Sequence, residues 1–331
     1  MSGLKGVAVE QALGMMRVIV KTDQKDTAAA TPLPLRATSV RGRLIRLLLS
    51  TFAAMPLRVS HAFGAIIGWA LILVPNDLRR AARVNIPLCL PELSRAEQAR
   101  LLRLSLIETG KTFCETGALW LWPPERLLAL VKGVSGEPQV QAALAQGKGI
   151  IFATPHLGSW EMIGLYGSTR FPITSLFRPP RLVELGALVR RSRERLGARL
   201  VPVDAGGVRA LHHSLARGET IGILPDQDPG RGKGVFAPLF GVPANTMTLL
   251  SRLAIRSGAP VFVCYAERLP RGRGYHIHLH AAPPEINREP LAQSVAILNR
   301  LVETLIRQRP EQYQWGYKRF RTQPEGQPRP Y

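Results

Sequence analysis

Residues 149–167 read GIIFATPHLGSWEMIGLYG. The run Ile150, Ile151, Phe152, Ala153 is apolar at every position and too short for a buried helix, so it predicts a strand covered on both faces. Pro155 and Gly158 then permit a sharp turn, and a helix is expected from about residue 159. A strand entering a turn and then a helix is the opening half of a strand–helix–strand unit.

The same alternation extends outward. A helix is expected over 137–146 and the strand itself over 148–154. Strand 173–177, helix 181–196, strand 198–203, helix 206–217 and strand 219–224 follow, then a loop to about residue 243. Helix 245–257, strands 260–266 and 274–282 and a helix over 289–308 complete the series. Strands separated by helices predict an α/β layered domain with a central, mostly parallel but mixed sheet flanked by helices.

Upstream, Ser94 and Glu97 fit a capping box before Leu101, Leu102, Leu104, Leu106 and Ile107, which predicts a long amphipathic helix. From Leu44 to Asp77 the chain is strongly apolar, and between Arg58 and Asp77 lie 18 residues without a formal charge. That length is at the short end for crossing a bilayer, so a spanning helix, an interfacial hairpin broken near Pro56 and a buried hairpin are all open readings. Arginines flank both sides (Arg41, Arg43, Arg46; Arg79, Arg80, Arg83), so charge gives no orientation. Residues 1–37 lack periodicity and are expected to form a disordered tail, with no secretory signal. The expected organisation is that tail, a membrane-associated helical segment over 38–76, an α/β domain over 77–323 and a short tail over 324–331.

The chain of 331 residues carries 44 Lys and Arg against 23 Asp and Glu, a formal charge of +21. Such an excess calls for a polyanionic partner: nucleic acid, an anionic membrane, or an acidic protein or substrate. Cys89, Cys114 and Cys264 form no CxxC pair, which predicts free, buried thiols in a reducing compartment.

Ligands gather at the carboxyl ends of strands in open α/β sheets, and His156 sits at such an end. Five residues separate His156 from Glu161, a spacing that turns them apart on a continuous helix, so they meet only if the intervening chain is irregular. If they meet, the carboxylate holds one imidazole nitrogen protonated and leaves the other as a general base, and the helix N-terminus disfavours imidazolium. A satisfied structural histidine is the alternative. There is no GxSxG elbow and no HExxH motif, which favours direct attack by an acceptor hydroxyl on an acyl donor over a covalent enzyme intermediate.

These motifs resemble the lysophospholipid acyltransferase superfamily and, within it, the lipid A late acyltransferases of Gram-negative bacteria, over about residues 40–326. The hallmark is a histidine, four residues and an acid, here HLGSWE with His156 and Glu161. LFRPPR resembles the second block with Arg178, GILPDQDPGRGKGVFAPLFG the third, and GAPVFVCYAERL the fourth with Pro260; PEQYQWGYKRFRTQPEG is similar to the tail of the lipid A branch. The resemblance implies transfer of a fatty acyl chain from acyl carrier protein to a hydroxyl of an acylated sugar lipid, without metal, nucleotide or other cofactor. It implies His156 as base, Glu161 as its orienting partner, Arg178 as a stabiliser of charge or holder of phosphate, Pro260 in the substrate site, and Asp226, Asp228 and Arg231 lining the acceptor site. It also implies the inner membrane as location, with the active site facing the cytoplasm and membrane lipids as contacts. A relative acylating another glycolipid or lysophospholipid, and a membrane-surface binding protein, are the rival readings.

His276, His278 and His280 share one strand face, but no cysteine or acid completes a metal set in the sequence around them. QGKGI lacks the spacing of a phosphate-binding loop, and one aromatic-basic patch, YQWGYKRFR, does not make a nucleic-acid binder.

Overall fold

The computed structural model describes residues 40–180, 183–288 and 290–331; the tail expected over 1–37 lies outside the described residues. A helical front comprises α1 (Val40–Ala54), α2 (Leu57–Leu73), α3 (Asp77–Cys89), α4 (Arg95–Leu121) and the short α5 (Pro124–Leu128). The layered part runs β1 (Val131–Ser135), α6 (Glu137–Leu144), β2 (Ile150–Ala153), α7 (Trp160–Arg170), β3 (Ile173–Phe177), α8 (Val183–Glu194), β4 (Arg199–Pro202), α9 (Ala205–Ala216) and β5 (Thr220–Ile223). It continues with β6 (Gly234–Leu239), β7 (Val242–Met247), α10 (Leu249–Ser257), β8 (Val261–Arg268), β9 (Tyr275–Ala281) and α11 (Leu291–Gln308).

Seven strands form one sheet in the order β1-β9-β8-β2-β5-β3-β4. The five from β8 to β4 are mutually parallel, β9 runs antiparallel to β8, and β1 is parallel to β9, so the sheet is mixed as expected. Alternation along the strands feeds two cores. Ile150, Phe152, Phe262 and Cys264 face one cluster with α4 and α7, while Ile151, Ala153, Val261 and Val263 face a second with α9, α10 and α11.

One expectation fails between residues 224 and 257. In place of a long loop and a helix from 245, β6 and β7 pair as a separate antiparallel hairpin. Pro238 and Pro243 lie opposite each other in it and weaken the strand pattern. Its turn uses Phe240 (φ 54°) and Gly241 (φ 74°), left-handed residues of which the first is an aromatic, not the Asn or Asp that signals such turns. Phe240 is held there by the second core, by a bond from its amide to Glu303 (2.8 Å) and by the Arg307 guanidinium 4.8 Å above its ring.

The chain does break near Pro56. Among the described residues no single helix is long and apolar enough to cross a membrane; α2 and α3 reach that composition only as a pair bent by 81°. Helix α2 lies directly on α4: a Cβ at Gly64 or Gly68 would meet the backbone of Gly110, Lys111 or Ile107, so glycine permits backbone-to-backbone contact there. Helix α4 carries the predicted Ser94–Glu97 capping box.

A buried ionic cluster fastens these helices to the sheet. Glu115 of α4, 1% exposed, accepts from His61 of α2 (2.9 Å), twice from Arg268 of β8 (2.8 and 2.7 Å) and from the Tyr275 hydroxyl of β9 (2.9 Å). Burial alone would raise the Glu115 carboxyl, but Arg268 and His61 outweigh it and hold it far below the usual carboxylate range. The three cysteines are free and buried; burial pushes the Cys264 and Cys114 thiols up to about 12.

Candidate active site

The register of the sheet brings two distant side chains together. Ala153 of β2 lies beside Ile223 of β5, and each strand continues three residues to His156 and to Asp226 respectively. Neighbouring strands are about 4.8 Å apart. The two side chains therefore meet across one strand spacing: His156 Nδ1 is 2.8 Å from Asp226 Oδ1, and the His156 amide donates to Oδ2 at 2.9 Å.

Both groups are buried, His156 at 7% and Asp226 at 4% exposure. An ionised carboxylate only accepts, so Nδ1 carries the proton, and in the neutral imidazole Nε2 then presents its lone pair. Burial would push the Asp226 carboxyl up; the attraction of His156, two hydrogen bonds from it and the charge of Arg319 hold it below the usual carboxylate range. Nε2 faces the Gln227 side-chain amide at 3.2 Å, and the Trp160 ring lies 5.1 Å from the imidazole.

The turn that makes this possible depends on Gly158. Its φ is 62°, and a Cβ there would strike the Ala266 carbonyl oxygen. That carbonyl accepts from the Ser159 amide at 2.9 Å, immediately before α7 begins.

Glu161 lies in the first turn of α7 but does not reach the imidazole. Its carboxylate is gripped by Arg193 of α8 through two hydrogen bonds, one of 3.1 Å from Nε, and accepts from Trp120 Nε1 at 3.4 Å. Asp226, expected in the acceptor site, therefore makes the contact expected of Glu161. Arg193 was not singled out in the sequence; among the arginines of VRRSRE no spacing distinguishes it.

Asp228 is buried and engaged inside the protein. It accepts from the Gly230 amide (2.8 Å), Asn245 Nδ2 (2.8 Å) and the Thr322 amide (3.0 Å), and pairs with Arg321 at 3.4 Å. That carboxylate fixes the loop and the C-terminal segment and has no open side for an acceptor. Arg231 is exposed in the same loop, and Arg178 is exposed just past β3, level with the residue before Asp226 in the sheet register. Pro260 precedes Val261, which pairs with Ile151 near the start of β2, so it lies at the opposite end of the sheet, roughly 15–20 Å of strand from His156.

Beside the dyad, an apolar cavity opens between the sheet and α7. Thr154 and Trp160 line it close to His156 in sequence, Phe171 and Ile173 line it towards the start of the strands, and Ile277 and Leu279 line it from β9. Its room comes from small residues. Gly222 faces it from β5, and Gly164 and Gly167 from α7, where a Cβ on Gly164 would meet nothing within 4 Å.

No group of three or more His, Cys, Asp or Glu suited to a metal occurs among the described residues. His276, His278 and His280 form a row of neighbouring rings, tied to Ser135 (2.8 Å) and Glu267 (3.0 Å) through the first two.

Comparison with known proteins adds relatives to this geometry. A family model described as bacterial lipid A biosynthesis acyltransferase matches residues 41–322. The chain is 29% identical over 280 residues to a lipid A biosynthesis lauroyltransferase of Escherichia coli (strain K12), covering 84% of this chain and 90% of that protein. A palmitoleoyltransferase of lipid A biosynthesis from the same organism is 30% identical over 254 residues, 74% of this chain and 79% of its own. A lipid A biosynthesis myristoyltransferase, again from Escherichia coli (strain K12), is 25% identical over 264 residues, 76% of this chain and 78% of its own.

Proposed function

The chain belongs to the bacterial lipid A biosynthesis acyltransferase family, an acyltransferase acting on a lipid A-type acceptor, and from that premise we propose that it moves a fatty acyl chain from acyl carrier protein to a hydroxyl of an acyl chain on a lipid A precursor. The observation that carries the reading is the bond of His156 Nδ1 to the Asp226 carboxylate, beside Trp160, whose ring lies 5.1 Å from the imidazole and which lines an apolar cavity.

In this reading the acyl chain of the donor thioester lies in the cavity and the acceptor hydroxyl takes the place of the Gln227 amide at Nε2. Nε2 removes the hydroxyl proton as the oxygen attacks the thioester carbonyl carbon. The tetrahedral intermediate collapses with cleavage of the carbon–sulfur bond, and the imidazolium returns the proton to the departing thiolate. Asp226 stabilises the transient positive charge through Nδ1–H; it does not itself take the proton. Glu161 acts through Arg193 and Trp120, fixing the first turn of α7 that carries the cavity wall. Arg178 and Arg231, exposed at the same edge of the sheet, suit the phosphates of the acceptor or an acidic carrier protein.

We further propose that the enzyme lies on the cytoplasmic face of the inner membrane through α1 and α2. Leu44 and Leu47 of α1 and Phe63, Ile66 and Leu73 of α2 are exposed, whereas the opposite side of α2 is closed against α4. Exposed Arg43, Arg46 and Arg58 interleave with these side chains, the pattern of a helical hairpin in the interface of an anionic bilayer.

The test is transfer in vitro from charged acyl carrier protein to a tetra-acylated lipid A precursor, with the product mass measured. A gain of one acyl group, lost in folded His156→Ala, is expected. Full transfer by His156→Ala would overturn the mechanism, and transfer to simple lysophospholipids in preference to the lipid A precursor would overturn the acceptor.

A further inference from the structure

Both nitrogens of the His156 imidazole have partners within the chain. Nδ1 bonds Asp226 Oδ1 at 2.8 Å, and Nε2 lies 3.2 Å from the side-chain nitrogen of Gln227. A carboxamide nitrogen donates and does not accept, so with the proton on Nδ1 the Gln227 amide donates to the Nε2 lone pair. The contact therefore belongs to the neutral ring, because an imidazolium would set N–H against N–H. The atom that removes a proton from an acceptor hydroxyl is the atom that Gln227 covers.

The chain is pinned on either side of that residue. The Asp226 carboxylate bonds both the ring and the backbone amide of His156, and the Asp228 carboxylate, 4% exposed, accepts from Gly230, Asn245 and Thr322. The Asp228 amide also donates to the Tyr317 hydroxyl at 3.0 Å. Backbone movement at residue 227 is thus restrained from both directions, while its side chain keeps three rotatable bonds and is only partly buried. A swing of that side chain uncovers Nε2 without moving the carboxylate that orients the ring.

We propose that Gln227 is a cap on the general base, withholding Nε2 from water and yielding it to the acceptor hydroxyl. The inference rests on the reading of His156 as the base of acyl transfer. A thioester beside an uncovered imidazole is open to hydrolysis: Nε2 takes a proton from water, the water oxygen bonds to the carbonyl carbon, the carbon–sulfur bond breaks, and the imidazolium returns the proton to the departing thiolate. The products are a free fatty acid and a carrier with a free thiol, and the donor is lost. An acceptor hydroxyl arrives on a lipid whose other contacts help it displace the amide, whereas water brings only the one hydrogen bond that it exchanges.

A single hydrogen bond of this kind favours the covered base by a factor of about 2 to 12. Gln227→Ala removes the cover, so hydrolysis of charged acyl carrier protein in the absence of acceptor should rise about 3-fold to 13-fold, and the ratio of hydrolysis to transfer should rise with it. Gln227→Asn should act in the same direction, since its amide is one carbon shorter and falls short of Nε2 by about 1.5 Å. A second readout does not depend on the reaction. Diethyl pyrocarbonate attaches to an imidazole nitrogen through its lone pair, so its rate of reaction at His156, located by peptide mass spectrometry, measures how far Nε2 is covered. That rate should rise in both variants, while the exposed His213 serves as a reference and keeps its rate.

Equal modification of His156 together with equal hydrolysis in parent and variants would overturn the cap while leaving the general base intact. Faster modification without faster hydrolysis would refute the guard against water. A fully active His156→Ala would remove the underlying reading instead. A joint rise of both rates, with the added hydrolysis abolished by combining Gln227→Ala with His156→Ala, establishes Gln227 as the residue that reserves the base for its acceptor.

Discussion

Helix α7 has no side chain at residue 164, and the space it leaves belongs to the cavity beside His156. Gly164→Leu therefore tests whether that cavity holds the acyl chain. A Cβ at Gly164 meets nothing within 4 Å, and Gly167, one turn on, touches only Ile173 at 3.9 Å, so leucine enters open space without displacing backbone. Replacing a mid-helix glycine also relieves an entropic cost of about 0.5–1 kcal/mol, which makes the variant at least as stable as its parent. The four added carbons displace roughly two to four methylene groups of a bound chain, each worth about 0.8 kcal/mol when buried. The penalty falls only on chains long enough to reach that depth, so the ratio of long-chain to short-chain transfer should drop by about 15-fold to 200-fold. Competition among acyl carrier proteins charged with a ladder of even-numbered chains, with products resolved by mass, measures that ratio directly. An unchanged chain preference, or a uniform loss across all lengths from folded protein, would refute the assignment of the cavity.

Asp226→Asn keeps the shape but lets the amide hold the wrong imidazole tautomer, and kcat should fall by about 100-fold to 10,000-fold with circular dichroism unchanged. Glu115→Gln leaves Arg268 buried with half its partner and should cost about 3–5 kcal/mol, a fall in Tm of roughly 6–15 °C by calorimetry. Because the native Glu115 carboxyl lies below its unfolded range, its contribution is complete above the ordinary carboxylate range and is lost as pH falls towards the native value. Parent stability should accordingly decline on acidification more steeply than that of Glu115→Gln. Replacing Leu44, Leu47, Phe63 and Ile66 together with serine should release the protein from anionic vesicles in a flotation assay without changing its melting curve, since these side chains are exposed.

The span from β2 to β5 was legible because its strands are short apolar runs separated by helices, and the strand expected over 173–177 coincides with β3. Strand β1, VKGVS, was not legible: it lies at the sheet edge, partly exposed, and its register is broken at Gly133. The hairpin of β6 and β7 was hidden by its two prolines and its Phe-Gly turn. The place of His156 after a buried strand is legible in the sequence; the carboxylate that bonds its imidazole is not, because proximity in sequence favours Glu161, whereas proximity in space is set by the pairing of β2 with β5 across 70 residues.

That strand pairing has a consequence for how the protein tolerates change. Ladder hydrogen bonds, not chain length, fix the spacing of His156 and Asp226, so surface turns between residues 170 and 219 can change length without moving either group. Lengthening a surface turn there, such as the one before α9, alters the outer rim of the molecule while the dyad keeps its alignment. A single residue inserted between Ala153 and His156, or between Ile223 and Asp226, has the opposite effect: it slides one reactive group past the other and leaves the rest of the fold intact. Substrate-facing surfaces can thus diversify around a centre whose alignment is written into one pair of strands.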